Sequence, residues 1–139
     1  MIEYHYENNF RLDNETKYTD WINRIMASEN AILGPIHYIF CDDTFLLAMN
    51  QKYLNHDTLT DIISFDYSDL GATSGDIFIS IERVEENAVK FETTVDNELR
   101  RVMAHGLLHL LGYNDKNDSE RSTMRAKENE KINMFHVEQ

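Results

Sequence analysis

Residues 102–111 are apolar on nearly every side, with Val102, Met103, Ala104, Leu107, Leu108, Leu110 and Leu111 interrupted only by His105, Gly106 and His109. A helix that is apolar nearly all round is a buried one, so the remaining elements must be arranged to cover it. Gly112 closes the segment as a C-terminal cap, letting the chain reverse. Histidines four residues apart stand on one helix face, one turn above the other. Buried imidazoles need partners, because stranding ring nitrogens in an apolar site costs free energy. A metal ion satisfies both rings together, and Asp115, shortly after Gly112, offers a third, anionic ligand. The plainer alternative is a pair of core histidines, each hydrogen-bonded to backbone or a carboxylate.

The flanking sequence supplies the covering layers. Residues 2–7 alternate Ile2, Tyr4 and Tyr6 with Glu3, His5 and Glu7, the period of a half-buried strand. A helix is expected over 16–29, where Tyr18, Trp21, Ile22 and Ile25 recur at helical spacing. Gly34-Pro35 is read as its break, with a second strand over 36–42, a short helix over 43–54 and a third strand over 61–67. Gly71 and Gly75 bracket an expected hairpin turn, followed by a fourth strand over 75–81. An amphipathic helix over 80–92 places Ile81, Val84, Ala88 and Phe91 on one side. Thr94 is a plausible N-cap for the central helix, and Asn117 with Glu120 resembles the capping box of a last helix running to about Met134. The order β α β α β β α α α predicts an α+β fold in one domain, a small mixed four-stranded sheet packed with about five helices. The metal site then lies on the buried central helix.

Composition narrows the function. No apolar run approaches the roughly 20 residues of a membrane-spanning helix, and the N-terminal residues MIEYHYENNF lack a secretory pattern. The single Cys41 fits a reducing cytoplasm and leaves any metal to histidines and carboxylates. A net charge of -12 repels phosphate backbones, so any contact with nucleic acid has to be local or supported by a larger assembly. A zinc protease of the H-E-x-x-H type is disfavoured, because Gly106 occupies the place of its general-base glutamate. Gly106 instead permits close packing of a neighbouring element against the helix.

The segment HGLLHLLGY resembles the signature of the YbeY-type endoribonucleases, or rRNA maturation factors, H-G-x-L-H-L-x-G-Y-D-H. Upstream, NQKYLNHDTLTDIISF is similar to that family's N-x-x-Y-R-x-K-D-x-P-T-D-V-L-S-F, and GDIFISIERVEENA to its G-D-I-x-I-x-x-E-x-x-x-x-x-A. The resemblance implies a single-domain α+β metalloprotein that binds one zinc ion per chain, with another divalent transition metal as the alternative. It also implies processing of ribosomal RNA, particularly the 3′ end of the small-subunit RNA, and ribosome quality control. The implied partners are ribosomal RNA or the small ribosomal subunit, with ribosome-associated proteins, in the cytoplasm. Asp115 stands where the family has its third histidine ligand, and Asn114 where it has aspartate. His105, His109 and Asp115 are therefore expected to act catalytically through the metal, with Asp118 as a fallback ligand. Leu54 replaces the family's arginine, a candidate for phosphate binding or catalysis, and His56 its lysine, which removes permanent positive charge from both places.

His56, Thr60 and Ser64 are expected to bind substrate, and Thr60, Asp61 and Ser64 to orient groups of the site or simply bond at a strand edge. Arg83, Arg100, Arg101, Arg121 and Arg125 offer a basic rim, or more plainly partners for the many carboxylates. Asp76 reads as a turn residue, Cys41 as core, and His5, His37 and His136 as surface or structural. The concrete expectation is metal-assisted hydrolysis of RNA phosphodiesters. Two alternatives stay open: a ribosome-associated assembly factor with a structural metal and little nuclease activity, and a hydrolase of some other substrate.

Overall fold

The computed structural model describes residues 1–55 and 59–136, with the side chain of His136 also outside that description. The order is β1 (Ile2–Tyr6), α1 (Glu15–Ser28), β2 (Ile32–Cys41), α2 (Asp43–Leu54), β3 (Ile62–Asp66), β4 (Ala72–Ser80), α3 (Ile81–Lys90), α4 (Val95–Leu110) and α5 (Asp118–Asn133), then a 3-10 turn over Met134–His136. The four strands form one sheet in the order β1-β2-β4-β3. β1 and β4 run parallel to β2, whereas β3 is an antiparallel edge strand on β4. This is the mixed α+β arrangement expected from the sequence.

The main core lies between one sheet face, carrying Ile36, Tyr38, Phe40, Ile77 and Ile79, and helices α1 and α4. Polar tips inside it are satisfied: Tyr38 Oη donates to the Met103 carbonyl at 3.0 Å and Trp21 Nε1 to that of Lys131 at 2.7 Å. A smaller cluster of Cys41, Leu46 and Ile63 lies on the opposite face, beneath α2. Cys41 is a core residue, its thiol pushed up to about 12 by burial.

α4 can lie close to the sheet because Gly106 has no side chain. A Cβ there would stand 2.8 Å from Ile62 Cδ1 and from Ile77 Cγ2, inside normal contact distance. Thr94 caps the helix by accepting from Asn97 N, and Gly112, at φ +102°, reverses the chain after it.

Four expectations are corrected. Gly34-Pro35 does not end α1; Asn30, in the left-handed region at φ 53°, does so, and β2 begins at Ile32. Gly34 and Pro35 fall instead at the register shift between Leu33 and Ile36, where a proline without an N–H is tolerated. The β3-β4 turn sits earlier than expected, with Leu70 and Gly71 at positive φ, so Gly75 and Asp76 are strand residues. Gly75 has a packing role, since a Cβ there would strike the Phe65 carbonyl and Leu110. Phe91, the C-cap that closes the last turn of α3, is 56 % exposed, so the buried side of that helix is Ile81, Val84 and Ala88 alone.

Candidate metal centre

α4 presents His105 and His109 one turn apart, toward the loop that follows Gly112. Their rings meet edge to face, with centroids 4.5 Å apart, and their Nε2 atoms lie 2.9 Å from each other. Asp115 Oδ2 is 3.3 Å from both Nε2 atoms. The three ligand atoms thus converge on one point, all within 4.8 Å of one another, and the group could hold a metal ion.

The opposite ring nitrogens decide what that point requires. His105 Nδ1 donates to Glu128 Oε2 at 2.6 Å, and His109 Nδ1 donates to the Tyr113 carbonyl at 3.0 Å. Neither partner offers a proton, so each ring carries its own on Nδ1, and in the neutral tautomer Nε2 is a bare lone pair. Two lone pairs and a carboxylate oxygen then face one another with no donor between them. Only a cation, a bound metal or an added proton, balances that arrangement. Histidine ligands held from behind by a carboxylate or a carbonyl are typical of metal sites.

The surrounding charges agree. Burial alone would lower the pKa of His105, but the hydrogen bond and charge of Glu128, with Asp115 and Asp61, hold it above the ordinary histidine value. Burial acts to raise that of Glu128, yet its hydrogen bonds with His105 and Arg101 keep it below the usual carboxylate range. Arg101 Nη1 reaches Glu128 Oε1 at 3.0 Å. Asp61 is shifted up, chiefly by burial.

Above the convergence point is an open cleft of about 520 Å³, walled by Asn50 and Leu54 of α2, Thr60, Asp61 and β3 residues through Ser64, and the three candidate ligands. Thr60 and Ser64 therefore stand in the same cleft as the ligands, although Thr60 Oγ1 also bonds the Ile62 carbonyl at 3.3 Å. A smaller cavity of about 210 Å³ adjoins it across Asp61 and His105, lined also by Glu98, Arg101, Arg125 and Glu128. His56 lies outside the described residues. Asp118 is not brought to the site; it pairs with Arg121 at the start of α5, its side chain fully exposed.

The basic rim divides. Arg83 pairs with Asp43 and Glu86, Arg121 with Asp118, and Arg100 lies 3.9 Å over the Phe135 ring. Arg101 and Arg125 line the smaller cavity, where Arg125 is 3.7 Å from Glu128 and more than half exposed.

Sequence reasoning passes over Glu128. Its signal is there: Met124, Glu128 and Ile132 recur every fourth residue and all are buried, so a glutamate occupies the apolar stripe of α5. A buried carboxylate on such a stripe needs a partner.

A family model described as Endoribonuclease YbeY matches residues 3–136 of this chain. Endoribonuclease YbeY of Flavobacterium johnsoniae is 57% identical over 139 residues, covering 100% of both chains. The protein of the same name from Flavobacterium psychrophilum is 55% identical over 100% of this chain and 99% of its own. The solution structure of TM1509 from Thermotoga maritima, 24% identical, superposes with a TM-score of 0.70 over 97% of this chain and 89% of that one.

Proposed function

The chain belongs to the YbeY endoribonuclease family, and from that membership we propose that it is a metal-dependent endoribonuclease of ribosomal RNA maturation, with His105, His109 and Asp115 holding one zinc ion. The observation that carries the metal assignment is the convergence of the Nε2 atoms of His105 and His109 with Asp115 Oδ2, while both Nδ1 atoms are held from behind by Glu128 and the Tyr113 carbonyl. When bound, the ion supplies Lewis acidity to water and to a phosphodiester. Two histidines and a carboxylate are an ordinary donor set for catalytic zinc, which keeps a position open.

The chain's own residues bind and orient. Glu128 and the Tyr113 carbonyl fix both rings so that Nε2 faces the cleft. The hydroxyls of Thr60 and Ser64 line the wall along which a ribose-phosphate backbone would lie; that of Ser64 can donate to a phosphate oxygen, and that of Thr60 can do so by releasing the Ile62 carbonyl. Arg125, exposed at the mouth of the adjoining cavity, is the cation best placed for the next phosphate. The substrate in this reading is precursor small-subunit rRNA near its 3′ end, met on the ribosomal particle in the cytoplasm with ribosome-associated proteins. One observation favours the assembly-factor alternative: among the described residues lining the larger cleft, none is lysine or arginine.

Metal content and cleavage of a small-subunit rRNA precursor decide the matter, measured on protein purified without a metal-affinity tag, for the native chain and Asp115→Ala. The expected result is near one zinc per chain in the native protein, with zinc and cleavage both lost in the variant. Full zinc retention by Asp115→Ala would remove Asp115 from the ligand set. Zinc without cleavage, even with ribosomal particles present, would favour the assembly factor.

A further inference from the structure

The sheet face away from α4 carries a second group of metal-ligating side chains. In the parallel β1-β2 pair, Glu3 is opposite His37 and His5 opposite Ile39; on the other side His37 is opposite Asp76 of β4. Residues opposite in register project from the same face, and so do residues two apart along a strand. Glu3, His37 and Asp76 thus form one rung, with His5 two residues along β1. The rings of His5 and His37 stack with centroids 5.2 Å apart, and His5 Nε2 is 2.9 Å from His37 Nδ1. One ligand atom from each of Glu3, His5 and His37 lies within 4.8 Å of the other two.

We propose that Glu3, His5 and His37 form a second metal site, for a divalent first-row transition ion, on the open face of the sheet at its β1 edge. Two imidazole nitrogens and one carboxylate are the donor set that suits zinc, nickel or copper, whereas magnesium and calcium prefer oxygen alone. The two rings already meet nitrogen to nitrogen, so an ion needs only to replace the hydrogen bond between them. The ligands come from adjacent strands that are paired along their length, so the backbone holds them before metal arrives. Asp76, beside His37, adds negative charge next to the ion. This ion would also tie the edge strand β1 to β2. The site lies on the sheet face opposite α4 and takes no residue from the cleft, so it stands or falls independently of the endoribonuclease reading.

The test is equilibrium dialysis of the tag-free, chelator-stripped full chain against Zn²⁺, comparing the native protein with H5A/H37A. The double variant is expected to bind one equivalent fewer than the native chain while keeping its RNA cleavage unchanged. In the native protein, ¹⁵N ring resonances of His5 and His37 are expected to shift as Zn²⁺ is added. Equal stoichiometry in the two proteins, or ring resonances of His5 and His37 that do not move, overturns the proposal. Failure of the cleft to bind zinc would read differently: the native chain would hold one equivalent and H5A/H37A none.

Discussion

His105 uses its two ring nitrogens for opposite purposes, and Glu128 is what separates them. The Nδ1 proton is committed to a carboxylate 2.6 Å away, so Nε2 is left as an acceptor aimed at His109 and Asp115. Glu128 is itself held by Arg101 and is 5 % exposed, so its position is set by packing as well as by charge. Replacing it with glutamine keeps the size but removes the charge, and the amide can satisfy the ring only through its oxygen. Glu128→Gln is expected to weaken zinc binding by about 10–100-fold, the usual cost of losing an outer partner of a histidine ligand. Competition with a chromophoric chelator measures this, and an unchanged circular dichroism spectrum would show that the helices persist. Unaltered zinc affinity would mean that the ring is oriented by α4 alone.

The loop that carries Asp115 is fastened between elements. Tyr113 Oη donates to Glu29 Oε1 at 2.6 Å at the end of α1, and Glu29 also takes Lys127 at 3.1 Å and the fully buried Lys131 at 2.7 Å, both from α5. Burial acts to raise the pKa of Glu29, but Lys131, Tyr113 and Lys127 overcome it and lower it to about 2. A carboxylate depressed in the folded state contributes stability above its unfolded value, lost as pH falls through the folded one. The contribution should therefore be complete near neutrality and disappear between about pH 4.5 and pH 2, with an upper size of roughly 3 kcal/mol. Glu29→Gln is expected to lower stability by an amount of that order at pH 7, and by little near pH 2, in urea unfolding at the two pH values. An equal loss at both would assign the effect to packing. A second element-scale prediction concerns Gly106: alanine there gains helix propensity but presses on Ile62 and Ile77, so Gly106→Ala should cost about 1–3 kcal/mol, read from urea midpoints. These fastenings also mark what the chain discloses on reading. The order and type of the four strands and five α-helices, though not the closing 3-10 turn, and the convergence of His105, His109 and Asp115 were legible, because periodicity and a helix-ending glycine act locally. Glu29, Glu128 and Lys131 were not, since a charged residue acquires its meaning from a partner that only the fold supplies. Gly75 and Gly34-Pro35 misled for a related reason: their usual reading is a turn, but strand pairing and close helix approach set their roles here.

At the scale of the whole molecule, a net charge of -12 confronts a polyanionic substrate. Long-range attraction is therefore weak or adverse, and phosphate binding has to come from a few cations near the cleft. Arg101 and Arg125 both pair with Glu128, Arg125 the more loosely and from a more exposed position at the edge, and Leu54, 42 % exposed, stands on the wall of the cleft itself. An arginine at 54 would place a permanent charge and a bidentate donor where this wall is apolar. Leu54→Arg is expected to tighten binding of single-stranded RNA and to steepen the dependence of log affinity on log salt by about 0.7, the value for one added phosphate contact on a single strand. Fluorescence anisotropy over a salt series measures both quantities. A tighter complex with an unchanged salt slope would mean that the arginine stacks on bases without neutralising phosphate, and no change in either would place the RNA away from α2. Because the rest of the acidic surface is the same in both proteins, the difference in slope isolates this one position from the global repulsion.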